Sequence, residues 1–193
     1  MKEILKLKPT QIAVGYQQVE DKANRMNAKS QRQLDEYIKN HKVPVVKGYD
    51  DKLFIIDHHH FCSAALRIGI DKVLIDIVAD WSSLSYNDFW NKMAVEKKIW
   101  PFDEHGEEIE LFQFVSMLPN NVTGLKNDPY RSIAGILRQR GFYKKDWTPF
   151  SEFYVANKLR PLVNLRQEQT TFTEEEIQLA SSHCQEVNPK SKG

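Results

Sequence analysis

Lys52 to Gly69 reads KLFIIDHHHFCSAALRIG, and the order of its elements decides the fold. Leu53 to Ile56 (LFII) is a short apolar run, preceded by Gly48, Asp50 and Asp51, which supply turn chemistry. It reads as a strand. Phe61, Ala64, Ala65 and Ile68 recur on one helical face, and Gly69 is a natural C-terminal stop. A strand therefore feeds a helix through the polar turn Asp57-His58-His59-His60. Upstream, Val43 to Val46 (VPVV) is a second strand of the same sheet. Leu34, Tyr37 and Ile38 have helical spacing behind Ser30, a candidate N-cap, so Tyr16 to about His41 reads as helix, break near Asn27, helix. Glu3 to Lys8 (EILKLK) alternates, with Leu5 and Leu7 on one face, and Gln11 to Val14 follows Pro9; both read as short strands. Lys72 to Val78 (KVLIDIV) is another.

The second half has a different grammar. A helix follows Ser85, with Phe89, Trp90 and Met93 partly on one side, and Pro101 ends it. Asp103 to Glu110 reads as a turn or short hairpin around Gly106. Asp128-Pro129 opens a helix carrying Tyr130, Ile133 and Leu137, closed by Gly141. Thr148-Pro149 repeats that opening, and Thr173 with Glu176 forms a capping box before the last helix. The expected architecture is an α/β (α+β) fold: a small mixed sheet with helices over residues 1–82, then a mostly helical region over 83–188 packed on it in the same compact unit. Residues 189–193 are expected to fray. Trp81, Trp90, Trp100 and Trp147 point to a core shared by both halves.

Composition bounds the function. The 193 residues carry 27 Lys plus Arg against 26 Asp plus Glu, a formal charge of +1, so no global positive field coats nucleic acid indiscriminately. Cys62 and Cys184 form no CxxC, which excludes a disulfide framework or a Cys-rich zinc module and fits a reducing, cytoplasmic setting. The first residues lack the apolar core of a signal peptide and no stretch is long enough to span a bilayer, so no membrane role is expected.

The chemistry concentrates at Asp57 to His60. A helix that starts there presents unpaired backbone N–H groups and the positive end of its dipole, which favour a phosphate or carboxylate, and imidazole donors would complete the cradle. Three other readings stand beside this one. Asp57 caps the helix; the histidines are surface or core side chains; or two histidines and Asp57 hold a metal, although adjacent residues project in different directions and no HExxH pattern is present.

This segment resembles the signature of the ParB/sulfiredoxin superfamily, specifically its ParB-like nuclease family. There a strand feeds a polar turn at a helix N-terminus, written GERR in partition proteins and DGHHR in free serine kinases, and the turn contacts nucleotide phosphates. Asp57, His59 and His60 match the Asp and two His of the second pattern; His58 stands at its glycine and Phe61 at its arginine. The loss of that arginine removes a bidentate phosphate ligand. LKPTQIAVGYQQVEDKA resembles the family's N-terminal box, and LPNNVTGLKNDPYRSIAGILRQRGF with TPFSEFYVANKLR its C-terminal region, so the likeness runs with gaps from Leu5 to Arg160. No helix-turn-helix pair of the partition type is present in the sequence.

The resemblance implies a phosphate- or nucleotide-binding protein, with Mg2+ as an accompanying ion, that performs phosphoryl transfer or phosphodiester hydrolysis. His58 and His59 with the helix end would hold phosphate oxygens, Asp57 would bind the metal or orient a nucleophile, and His60 would be the acid/base. Glu20 falls where related kinases place a catalytic acid but reads as a solvated carboxylate beside the amides Gln17 and Gln18. Lys22, Arg25 and Arg32 read as an ordinary charged helix face. Arg131 is a further ligand candidate, because an arginine in a first helical turn opposes the dipole and calls for an anionic partner. The alternative is a non-enzymatic module binding a protein or nucleic acid through Asn120 to Glu168, which holds nine basic and four acidic side chains with Tyr143 and Trp147 among them. A weaker third reading makes the histidines a zinc or other transition-metal site.

Overall fold

The computed structural model describes residues 1–144 and 150–183. The elements run β1 (Lys2–Glu3), β2 (Lys8–Pro9), β3 (Ala13–Val14), α1 (Tyr16–Asn27), α2 (Gln31–Asn40), β4 (Val43–Lys47), β5 (Leu53–Ile55), α3 (His59–Arg67), β6 (Lys72–Val73), β7 (Ile75–Asp80), α4 (Tyr86–Val95), α5 (Leu111–Met117), β8 (Lys126–Asn127), α6 (Pro129–Gln139), α7 (Ser151–Leu159) and α8 (Glu174–Ser182). This is an α/β fold with small mixed sheets. The chain forms two compact units. One comprises Met1–Ala13 and Val19–Lys126, the other Val14–Gln18 with the chain from Asn127 onward.

In the first unit the principal sheet has the order β2-β5-β4-β7. β5 lies parallel to β2 and antiparallel to β4, while β7 pairs parallel with β4 and has a bulge between Val45 and Val46. β1 and β6 make a separate antiparallel pair. α4 and α5 belong to this unit, because Phe89, Trp90, Met93, Phe114 and Val115 share a core with Val46 and Phe54 of the sheet. The chain thus divides after Lys126, not after residue 82. Trp90 and Trp100 are buried in this unit and Trp81 is half-buried; Trp147 and the Thr148-Pro149 opening lie outside the described residues.

Local chemistry accounts for most boundaries. Ser30 and Gln33 close a capping box on α2, and the Ser85 hydroxyl accepts from the Asp88 N–H at the start of α4. Two expectations change. Ile4–Lys6 is a 3-10 turn, so burial falls on Ile4 and Leu7, three apart, and Leu5 is 51% exposed. Of the predicted strand at Gln11 to Val14, only Ala13–Val14 is extended in a ladder. The helix α5 was not expected, and its N-cap Glu110 makes no side-chain hydrogen bond that sequence could signal.

In the second unit α6, α7 and α8 enclose Ile133, Leu137, Val155, Leu159 and Ile177. Asp128 caps α6 with Pro129 behind it, Gly141 takes φ 81°, and Thr173 with Glu176 forms the capping box of α8, all as the residue types imply. Val14–Gln18 packs on α6 at very short range. A Cβ at Gly15 would lie 2.8 Å from the Ser132 backbone nitrogen, and one at Gly135 would lie 1.5 Å from Gln18 Nε2.

Candidate functional site

The turn between β5 and α3 lies at the carboxyl ends of the parallel strands β2 and β5, whose paired residues end at Pro9 and Ile55. Ligands of open α/β sheets commonly sit at such strand ends. Thr10, the residue after Pro9, ties the ends together. Its hydroxyl donates to Ile55 O at 2.6 Å, and its backbone N–H donates to His59 Nε2 at 3.1 Å. Accepting that bond requires an unprotonated Nε2, so the proton of a neutral His59 sits on Nδ1. His59 is 4% exposed. Its ring ties the turn to Thr10 from within the core.

His58, not Asp57, is the N-cap of α3. Its backbone is left-handed, at φ 69°, ψ 21°, and its side chain makes no capping hydrogen bond. Asp57 is exposed, with Oδ1 accepting from the His58 N–H at 2.6 Å. The turn therefore starts a nine-residue helix, with the positive end of its dipole, at a left-handed residue. His58 and His60 are half-buried. Phe61, at the pattern's arginine position, turns into the core. Its ring lies 6.0 Å from His58 and 5.9 Å from His41, and Tyr37 stacks on His41 at 3.8 Å.

Sequence reading passed over Thr10, Tyr37 and His41, although hairpin register could have found His41. β4 and β5 pair Val45 with Ile55 and Val46 with Phe54, and continuing that antiparallel count past the strand ends sets residues 41–42 against 58–59. Glu20 pairs with Arg67 of α3 and Arg32 with Glu36 at 3.7 Å, which gives both ordinary structural partners. Burial pushes the Cys62 thiol up to about 12, so it stays protonated near neutral pH and supplies no thiolate nucleophile.

Arg131 belongs to the second unit and is 4% exposed. Its guanidinium lies 3.6 Å from the centroid of the Phe153 ring, and Nη2 is 3.6 Å from Glu152 Oε2. The anionic partner its position calls for is thus supplied by α7. Burial holds its pKa below the usual range, against the opposing pull of Glu152 and Asp128. Nε and Nη1 have no hydrogen-bond partner and are sealed from solvent. Arg138 also pairs with Glu152, Arg160 with Asp128 at 2.6 Å, Arg140 with Glu174 at 2.6 Å, and Lys126 with Glu104. Five of the nine basic side chains counted between Asn120 and Glu168 therefore already face carboxylates.

Among the described residues no group of three or more His, Cys, Asp or Glu is arranged to hold a metal, and no helix is long and apolar enough to cross a membrane. A family model described as "Putative ParB-like nuclease" matches residues 1–161. A crystal structure of protein Atu1540 from Agrobacterium tumefaciens is similar at TM-score 0.83 and 36% sequence identity, over 94% of this chain and 88% of that one. No curated protein matches the sequence.

Proposed function

The chain belongs to the ParB-like nuclease family, and on that premise we propose that it binds a phosphate-bearing ligand, a nucleotide or a phosphodiester, at the Asp57 to His60 turn and transfers or hydrolyses the phosphoryl group there. The observation that carries this reading is the start of α3 at a left-handed His58, at the carboxyl ends of β2 and β5. A non-glycine residue in that conformation costs about 1–2 kcal/mol, and such strain tends to persist where function needs the geometry. The helix end and the imidazoles of His58 and His60 would face the phosphate oxygens, while His59 holds the backbone in place through Thr10.

Asp57 is a single exposed carboxylate, a donor set that suits a Mg2+ arriving on the ligand's phosphates better than a resident ion in an all-protein cage. Such an ion would neutralise charge on the phosphoryl oxygens.

The test is a thermal-shift and calorimetric screen of the full chain, made without a histidine tag, against ribonucleotides and short oligonucleotides with and without Mg2+. A ligand at a hundred times its Kd adds about 2.7 kcal/mol, which for a chain of this size raises the midpoint by about 5–10 °C. His60→Ala and Asp57→Asn should shrink that response at least threefold. No shift with any of these ligands, together with no phosphate or nucleotide release, would overturn the reading.

A further inference from the structure

His41 stands at the C-terminal end of α2, outside the signature turn, and one backbone and two ring contacts hold it. Its backbone N–H donates to Ile38 O at 3.2 Å. Nδ1 lies 2.7 Å from Tyr37 O, a carbonyl of the last helical turn. Tyr37 covers one face of the imidazole, centroid to centroid 3.8 Å at an interplanar angle of 29°. A carbonyl oxygen only accepts, so Nδ1 carries a proton, and Nε2 is the atom that can gain or lose one. Its neighbours on the other element are the rings of His58, at 6.2 Å, and Phe61, at 5.9 Å, both in the first turn of α3 or its cap. The β4–β5 hairpin produces this meeting: Ile56 N–H donates to Pro44 O at 3.1 Å, just before the chain reaches Asp57.

We propose that His41 is the proton-transfer residue of the turn, acting through Nε2. This rests on the reading that the turn seats a phosphoryl group. His59 is unsuited to the task, because its Nε2 is engaged by the Thr10 amide inside the core. A proton-transfer residue needs an imidazole of fixed tautomer, held by one nitrogen and open to exchange at the other, beside the helix end that holds the anion. His41 has its tautomer set by Tyr37 O, is half-buried, and brings its ring within 6.2 Å of His58 at that helix end.

In the step, Nε2 takes the proton from the attacking oxygen of water or an alcohol as that oxygen bonds to phosphorus. The bond from phosphorus to the leaving oxygen breaks, and its electron pair goes with that oxygen. The leaving oxygen then takes the proton back from Nε2. Atoms and charge balance with no other reactant.

Two variants of the full chain separate this role from a structural one. His41→Asn keeps an amide donor near the Nδ1 position for Tyr37 O, and His41→Gln puts an amide near the Nε2 position; neither side chain can exchange a proton near neutral pH. His105→Gln, on the acidic loop, controls for the loss of an imidazole elsewhere. With the nucleotide or oligonucleotide that the wild type turns over, both His41 variants should keep KM and Kd within about threefold. Their kcat should fall by a hundredfold or more, a typical general acid–base contribution, and the acid limb of the kcat–pH profile should disappear. Wild-type kcat and an unchanged profile in either variant would overturn the role of His41 while leaving the turn as the binding site. Binding without any turnover by the wild type would do the same. No binding by the wild type would instead overturn the reading of the turn, and this proposal with it.

Discussion

His58 concentrates the tension of the turn in one residue: its backbone at φ 69° is one that glycine enters freely and a β-carbon crowds. The resembling kinase pattern has glycine at this place, which enters that backbone region without the local cost. His58→Gly should therefore stabilise the chain by about 1 kcal/mol, a rise of about 2–4 °C in thermal midpoint, and should weaken the nucleotide response. An unchanged or lower midpoint in calorimetry would mean that the ring's packing against His41 and Phe61 outweighs the strain. The DHHH run was plain in the sequence, but the different roles of its three imidazoles were not. Adjacent residues become different in kind because one faces the Thr10 amide at 3.1 Å, one occupies a left-handed cap, and one is half-buried on the first turn.

At the scale of the element, capping grammar was the most legible layer, since a cap is a local bond between residues a few positions apart. Ser30 before α2, Ser85 before α4, Asp128 before α6 and Thr173 before α8 all accept from first-turn N–H groups. Their energetic weights differ because their surroundings do. Ser30 is exposed, and Ser30→Ala should cost about 1 kcal/mol. Asp128 is buried, pairs with Arg160 at 2.6 Å, and has its carboxyl pushed up by burial against the pull of Arg160 and Arg131. Asp128→Ala should cost about 3–5 kcal/mol, because it removes the cap and leaves Arg160 without its partner. Urea unfolding of the two variants checks the ranking; equal losses would mean that the buried pair contributes nothing beyond the cap. The 3-10 turn at Ile4–Lys6 was illegible for a related reason, since alternation in six residues fits a strand until Ile4 and Leu7 are seen to share the core.

Across the whole molecule, the second unit takes five residues, Val14–Gln18, from far upstream in the chain. Gly15 against Ser132 and Gln18 against Gly135 show that α6 is shaped to receive that segment. A fragment beginning at Asn127 should therefore lack cooperative unfolding, and a peptide of the Val14 to Gln18 region supplied in trans or by fusion should restore it in part. A sharp transition for the bare fragment in circular dichroism would show that the upstream segment is dispensable. The balanced net charge takes its meaning at this scale too, because Arg131, Arg138, Arg140 and Arg160 face carboxylates of their own unit instead of presenting a basic face. By itself the sequence determined the α/β class, the strand–turn–helix at Lys52 to Gly69, most helix caps and the family likeness, all of which rest on local bonds or short-period patterns. Only the tertiary structure decided where the units divide, that α4 and α5 pack with the sheet, and that Arg131 is sealed against Glu152 and Phe153. Those outcomes depend on which distant surfaces bury one another, and no periodicity within a single element encodes that.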